Sequence, residues 1–177
     1  MIKKRIPAYA ILLMYIIIVL LFHLFGYTGH FGYDDLHYAG LANDLLNGTV
    51  NFEDHYAYRF PLILFTSLFY SIFGISDFTS ALPSLIITST ILITVFNSLR
   101  EQGTMAIFMG LSLTTLSNWF LFYSDKMMPD IYVALSVIWA LSIIARYRFK
   151  SGRTRTLPYA LLLALSLLFG FMAKGTI

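Results

Sequence analysis

Two adjacent carboxylates open the segment Gly32-Tyr33-Asp34-Asp35-Leu36-His37-Tyr38. An aspartate with an ordinary pKa near ~3.9 is ionised at neutral pH and can accept a proton from a hydroxyl held against it. The same pair also suits plain helix capping, one acid satisfying free N–H groups and the other complementing the helix dipole. Spacing alone leaves both readings open. A second polar run, Asp54-His55-Tyr56-Ala57-Tyr58-Arg59-Phe60-Pro61, brings Arg59 to the edge of an apolar stretch. A guanidinium there either snorkels toward lipid headgroups or forks onto phosphate oxygens. Further on, Asp125, Lys126, Pro129 and Asp130 separate two apolar runs, and Lys174 follows another.

The rest of the chain determines what can hold these groups. Of 177 residues, 58% are hydrophobic, 17% aromatic and only 12% charged. The mean hydropathy is +0.74. Soluble domains carry about 25% charged residues. A chain this apolar cannot cover itself with polar groups, so lipid must be its solvent. The net charge of +3 is too modest to indicate nucleic-acid binding. The sequence has no cysteine, which excludes disulfides and thiolate chemistry.

Apolar runs at 6–25, 81–99, 104–122, 131–145 and 157–173 predict membrane spans free of Asp, Glu, Lys and Arg. Pro83 is expected in a first turn, and His23, near the end of the first run, at the interface. The first run follows Lys3, Lys4 and Arg5, is too long for a signal-peptide core and reads as an uncleaved anchor. The segment 62–73, bounded by Pro61 and Gly74, is too short for a comfortable span. If it does not cross, the N-terminal basic cluster and Arg146, Arg148, Lys150, Arg153 and Arg155 all fall in the cytoplasm, as the positive-inside rule requires. The expectation is therefore an all-α, multi-pass cell-membrane protein, 1–177 forming one membrane domain. It has about five transmembrane helices, a cytoplasmic N-terminus and an outer loop with interfacial helices over 26–80.

That loop is not featureless. Tyr38, Leu41, Ala42, Leu45 and Leu46 recur with the period of one helix face, with Asp34 or Asp35 as N-cap and Asn47-Gly48 as stop. Such a short amphipathic helix lies along a membrane surface. The topology puts Asp34, Asp35, Arg59, Asp130 and Lys174 on one side.

The ordered set of segments resembles the N-terminal part of lipid-dependent membrane glycosyltransferases of the GT-C type, among them protein O-mannosyltransferases and the aminoarabinose transferase of lipid A. Tyr33-Asp34-Asp35-Leu36-His37-Tyr38-Ala39 is similar to that family's Asp-Glu-x-x-Tyr-Ala pattern, with Asp35 in place of the usual Glu. The likeness continues through Leu45-Leu46-Asn47-Gly48, Tyr58-Arg59-Phe60-Pro61-Leu62, Ser80-Ala81-Leu82-Pro83-Ser84, Met128-Pro129-Asp130 and Ala173-Lys174-Gly175. The resemblance implies transfer of a sugar from a polyprenyl-phosphate donor to an acceptor at the outer face. It implies Asp34 as catalytic carboxylate with Asp35 beside it, and Arg59 and Lys174 on the donor phosphate. Tyr38, His55 and Asp130 would line the cavity. A divalent metal on Asp130 and His55 is compatible with it, since family members differ in metal use. Such enzymes run to several hundred residues, so the resemblance also implies a partial unit needing a C-terminal part or another subunit. A non-catalytic membrane scaffold is the alternative. A transporter fits less well, because the span interiors lack ionisable residues.

Overall fold

The computed structural model describes residues 7–149 and 156–174. Lys3, Lys4, Arg5, Lys150, Arg153, Arg155 and Gly175, which carry part of the orientation and family arguments, lie outside the described residues. Every described element is helical: α1 (Ala8–Gly26), α2 (Gly32–Asn47), α3 (Phe60–Phe73), α4 (Asp77–Leu99), α5 (Thr104–Thr115), α6 (Asn118–Tyr123), α7 (Pro129–Phe149) and α8 (Thr156–Lys174), with single 3₁₀ turns at His55–Tyr58 and Arg100–Gln102. Four segments are long and apolar enough to cross a membrane: Ala8–Gly26, Asp77–Gln102, Pro129–Tyr147 and Leu157–Lys174. The chain is a membrane protein, and large apolar side chains such as Leu13, Phe25, Leu113 and Leu165 stand exposed along it where a soluble protein would bury them.

Pairwise contacts give the directions. α1 runs antiparallel to α4, with Tyr9 against Phe96 at one end and His23 against Phe78 at the other. α7 runs parallel to α4. The Ser84 hydroxyl donates to the carbonyl of Lys126 at 2.7 Å, the Trp139 indole donates to Thr94 Oγ1 at 3.2 Å, and the hydroxyls of Ser98 and Ser142 are 3.0 Å apart. Two parallel neighbours need a return path, and α5 with α6 supplies it along α1 and α4. The single span expected over 104–122 is instead broken at Leu116–Ser117. Thr114, Thr115, Ser117 and Asn118 crowd the break, and short polar side chains of this kind compete with the helix for backbone groups.

α7 and α8 form a close antiparallel hairpin. Ser136 and Ser166 exchange hydroxyl-to-carbonyl hydrogen bonds, and a Cβ on Gly170 would come within 2.3 Å of Ser136 Oγ. Small residues at this crossing let two backbones approach where no hydrophobic force separates helix from lipid. Pro83 falls inside α4 rather than in its first turn, because Ser76 starts the helix at Asp77 by accepting a hydrogen bond from the Thr79 N–H at 3.1 Å.

α3 is the short segment 62–73 with its N-terminal turn. Both its ends lie at the same end of the bundle. Arg59, before it, shares its surroundings with Asp34 and Asp130, and Asp77, after it, is met by Tyr27 and His30. The core there combines Tyr38, Leu41 and Ala42 of α2 with Leu62 and Ile63 of α3, Ile87 and Ile91 of α4, and Ile131, Tyr132 and Leu135 of α7.

Candidate functional site

α2 carries the two acids, and it starts earlier than its sequence suggests. Phe31 is the N-cap, Gly32 at φ 67° opens the helix, and neither Asp34 nor Asp35 caps it in the expected place. Gly48 closes it at φ 71°, the left-handed conformation that stops helices. The inward face holds Asp35, Tyr38, Leu41 and Ala42, whereas Leu46 is exposed.

The early start separates the acids. Asp35 is 1% exposed. Its Oδ2 accepts from the Phe31 N–H at 2.7 Å and its Oδ1 from the Met127 N–H at 2.6 Å. It therefore ties the first turn of α2 to the segment before α7, and its oxygens are occupied by the protein's own backbone. Asp34 is half-buried on the neighbouring face and accepts the Tyr56 hydroxyl at 3.2 Å. That contact holds the Tyr56 proton more tightly than in a free phenol.

Arg59 completes this side. Its guanidinium lies 4.7 Å from the Tyr56 ring centre and 5.2 Å from that of Tyr38, a stacked cationic arrangement. Burial weakens its hold on its proton, opposed by the charges of Asp34 and Asp130, but a guanidinium remains protonated in any such setting. Arg59 Nε and the hydroxyl of Tyr38 are buried without a hydrogen-bond partner among the described residues. No carboxylate of the described residues lies within ion-pair distance of Arg59. Asp130, in the first turn of α7, forms an ion pair with Lys174, at the end of α8. Both side chains are about half exposed.

Asp34, Tyr38, Tyr56, Arg59, Asp130 and Lys174 thus stand at one end of the bundle. Positions up to 140 residues apart are brought into one region: the charges of Asp34 and Asp130 both act on Arg59, and Asp130 is paired with Lys174. His55 stands apart, exposed, its ring against Tyr56 and its Nδ1 3.9 Å from Asp54. Asp54 pairs instead with His37, whose ring stacks on Tyr33. Burial of Asp54 acts to raise its pKa, but the Tyr56 N–H and the His37 ring together outweigh that and hold the carboxyl below the usual range. Among the described residues no three His, Asp or Glu side chains gather as a metal site. Asp130 is paired with Lys174, and His55 lies beside Asp54 and Tyr56.

A second polar cluster escaped the sequence reading. His23, expected at the interface, is buried with its Nδ1 3.1 Å from Asp125 Oδ2. Asp125 and Lys126 are 2% and 3% exposed, so they are not the solvated loop charges their sequence suggests. Lys126 Nζ lies 3.3 Å from Asp125, donates to the Gly29 carbonyl at 3.0 Å and sits 4.4 Å over the Tyr27 ring. His30 stands 3.6 Å from Asp35 and 3.5 Å from Asp77. These charges fasten α1, α2, α4 and the 123–127 turn into one platform beneath Asp34. The one available signal was the position of His23 inside an apolar run, since a polar residue there needs a partner.

Comparison of the chain with protein-family models, with curated proteins and with solved structures finds no match.

Proposed function

We propose that this protein is a membrane glycosyltransferase, or the N-terminal unit of one, that takes a sugar from a polyprenyl-phosphate donor and transfers it to an acceptor at the outer face of the membrane. The observation that carries the reading is Arg59. It is a cation held over two tyrosine rings at the end of an apolar bundle, its Nε unpartnered among the described residues and its charge felt by Asp34 and Asp130 without an ion pair to either. A lipid phosphate delivers its charge at that depth while its tail stays among the helices.

In this reading the acceptor hydroxyl attacks the anomeric carbon and gives its proton to the Asp34 carboxylate. The bond from the anomeric carbon to the phosphate oxygen breaks on the opposite face, and its electron pair leaves with the phosphate. Arg59 meets the growing charge, and Lys174 swings from Asp130 to share it. Preformed donors of this kind act strongly where water is scarce. Single displacement inverts the anomeric configuration. Asp35 holds the base in place rather than acting itself, Tyr56 orients Asp34, and Tyr38 stacks beneath Arg59. α2 and α3 lie along the membrane surface, α5 with α6 makes the fifth crossing, and the Asp34 end faces outward.

The test is transfer of sugar from a polyprenyl-phosphate donor by the full-length protein in membranes, compared between wild type and Asp34→Asn. Loss of transfer with normal expression supports Asp34 as the base, and undiminished transfer removes it. A non-catalytic scaffold predicts no transfer from the wild type and no retention of polyprenyl phosphate that depends on Arg59.

A further inference from the structure

The opposite end of the bundle holds a cavity that the transfer reading does not use. It lies where α4 and α7 end and α8 begins, has a volume of about 430 Å³, and its wall includes Arg100, Glu101, Arg146, Ser98, Ser142 and Tyr159. A smaller recess continues it along Trp139 and Ile143. Beside it, between α7 and α8, a slot of about 210 Å³ is lined by Ile143, Ile144, Tyr147, Tyr159, Ala160 and Leu163. Tyr159 belongs to both the cavity and the slot, and its ring meets Tyr147 edge-on at 5.5 Å.

We infer that this end is a phospholipid site, with the phosphate between Arg100 and Arg146 and an acyl chain in the slot behind Tyr159. Guanidinium forks match phosphate oxygens, and basic pockets between membrane helices take anionic headgroups. The cavity terminates three helices long enough to cross a membrane, which is the depth at which a phospholipid carries its phosphate. A soluble phosphate would use the two arginines but not a slot lined almost wholly by carbon. Glu101 in the wall is an acceptor for a headgroup hydroxyl or ammonium, so the arrangement fits a phospholipid whose headgroup carries a donor better than a bare phosphate monoester. Among the described residues neither arginine is engaged in an ion pair. The site is independent of Asp34 and stands or falls separately from the transfer reading.

Native mass spectrometry of the delipidated full chain in detergent tests this, with phosphatidylglycerol, diacylglycerol and glycerol 3-phosphate as probes. Phosphatidylglycerol is expected to bind roughly tenfold or more tightly than either of the others, because only it offers both phosphate and chains. Arg100→Gln with Arg146→Gln removes that preference, and Ala160→Trp, which plugs the slot, weakens phosphatidylglycerol alone. Equal binding of diacylglycerol overturns the phosphate assignment. Equal binding of glycerol 3-phosphate overturns the lipid assignment in favour of a soluble anion. Phosphatidylglycerol binding unchanged in the double variant overturns the site. Should the double variant lose its helical content, Ala160→Trp alone decides, since unchanged binding with the slot filled is incompatible with the inference.

Discussion

Ser136 and Ser166 donate their hydroxyls to each other's backbone carbonyls, at 2.7 and 2.8 Å, across the α7–α8 crossing. One turn further on, Gly170 faces Ser136 with no room for a side chain. The pairing sets how α8 slides along α7, and so brings Lys174 to Asp130, one further turn away on α8.

Gly170→Leu is therefore expected to push the hairpin apart and separate Lys174 from Asp130. Overpacking of a close crossing costs about 1–3 kcal/mol. The expected result is a lower Tm in detergent together with loss of cross-linking between cysteines placed at 130 and 174. Ser136→Ala removes a single interhelical hydrogen bond and is expected to cost less, about 0.6 kcal/mol. A Gly170→Leu protein with wild-type Tm and intact cross-linking contradicts the close crossing.

The buried Asp125–Lys126 pair gives a sharper asymmetry. Lys126→Met strands the Asp125 carboxylate beside His23 and is expected to cost about 3–5 kcal/mol, the usual penalty for breaking a buried ion pair from one side. Removing both charges, as Asp125→Leu with Lys126→Met, is expected to recover much of that loss. Thermal melts of the two variants decide it. A double variant less stable than the single one shows that the charges do more than neutralise each other.

The two acids should separate in their effects. Asp35 binds two backbone N–H groups, and each hydrogen bond to a charged group contributes about 1.5–3 kcal/mol. Asp35→Ala is expected to destabilise the protein strongly. Asp34→Asn keeps a partner for the Tyr56 hydroxyl, leaves Tm nearly unchanged and abolishes transfer. Paired melts and transfer measurements distinguish the roles, and equal destabilisation by both substitutions contradicts the division.

His30 sets a pH dependence. The Asp35 carboxylate beside its ring raises its pKa above the ordinary 6.5, ahead of burial, which acts in the opposite direction. A group whose folded pKa is raised stabilises the fold fully below its unfolded pKa and loses that contribution as pH rises through the folded one. Tm is therefore expected to fall as pH rises from 6.5 upward, and His30→Gln should flatten that slope. A slope unchanged in His30→Gln assigns the effect to another group.

Local order along the chain was enough to establish much of the frame. Lipid as solvent demands long uncharged runs, and four of the five expected runs are helices long enough to cross. The fifth is the one interrupted by Thr114, Thr115, Ser117 and Asn118, where local polarity competes with the helix that hydropathy favours. The periodic face of Tyr38, Leu41 and Ala42 and the stop at Gly48 were equally legible, because both depend on neighbours within a few turns. Partners between distant segments were not. Which acid turns inward depends on where α2 begins, and Phe31 sets that by meeting the carboxylate of Asp35. His23, Asp125 and Lys126 read as separate surface groups until helix crossings bury them together. Composition decided that this is a bundle in lipid. Only the tertiary structure decided which charges share a site, since that depends on the angle and depth at which helices cross rather than on the sequence of any one of them.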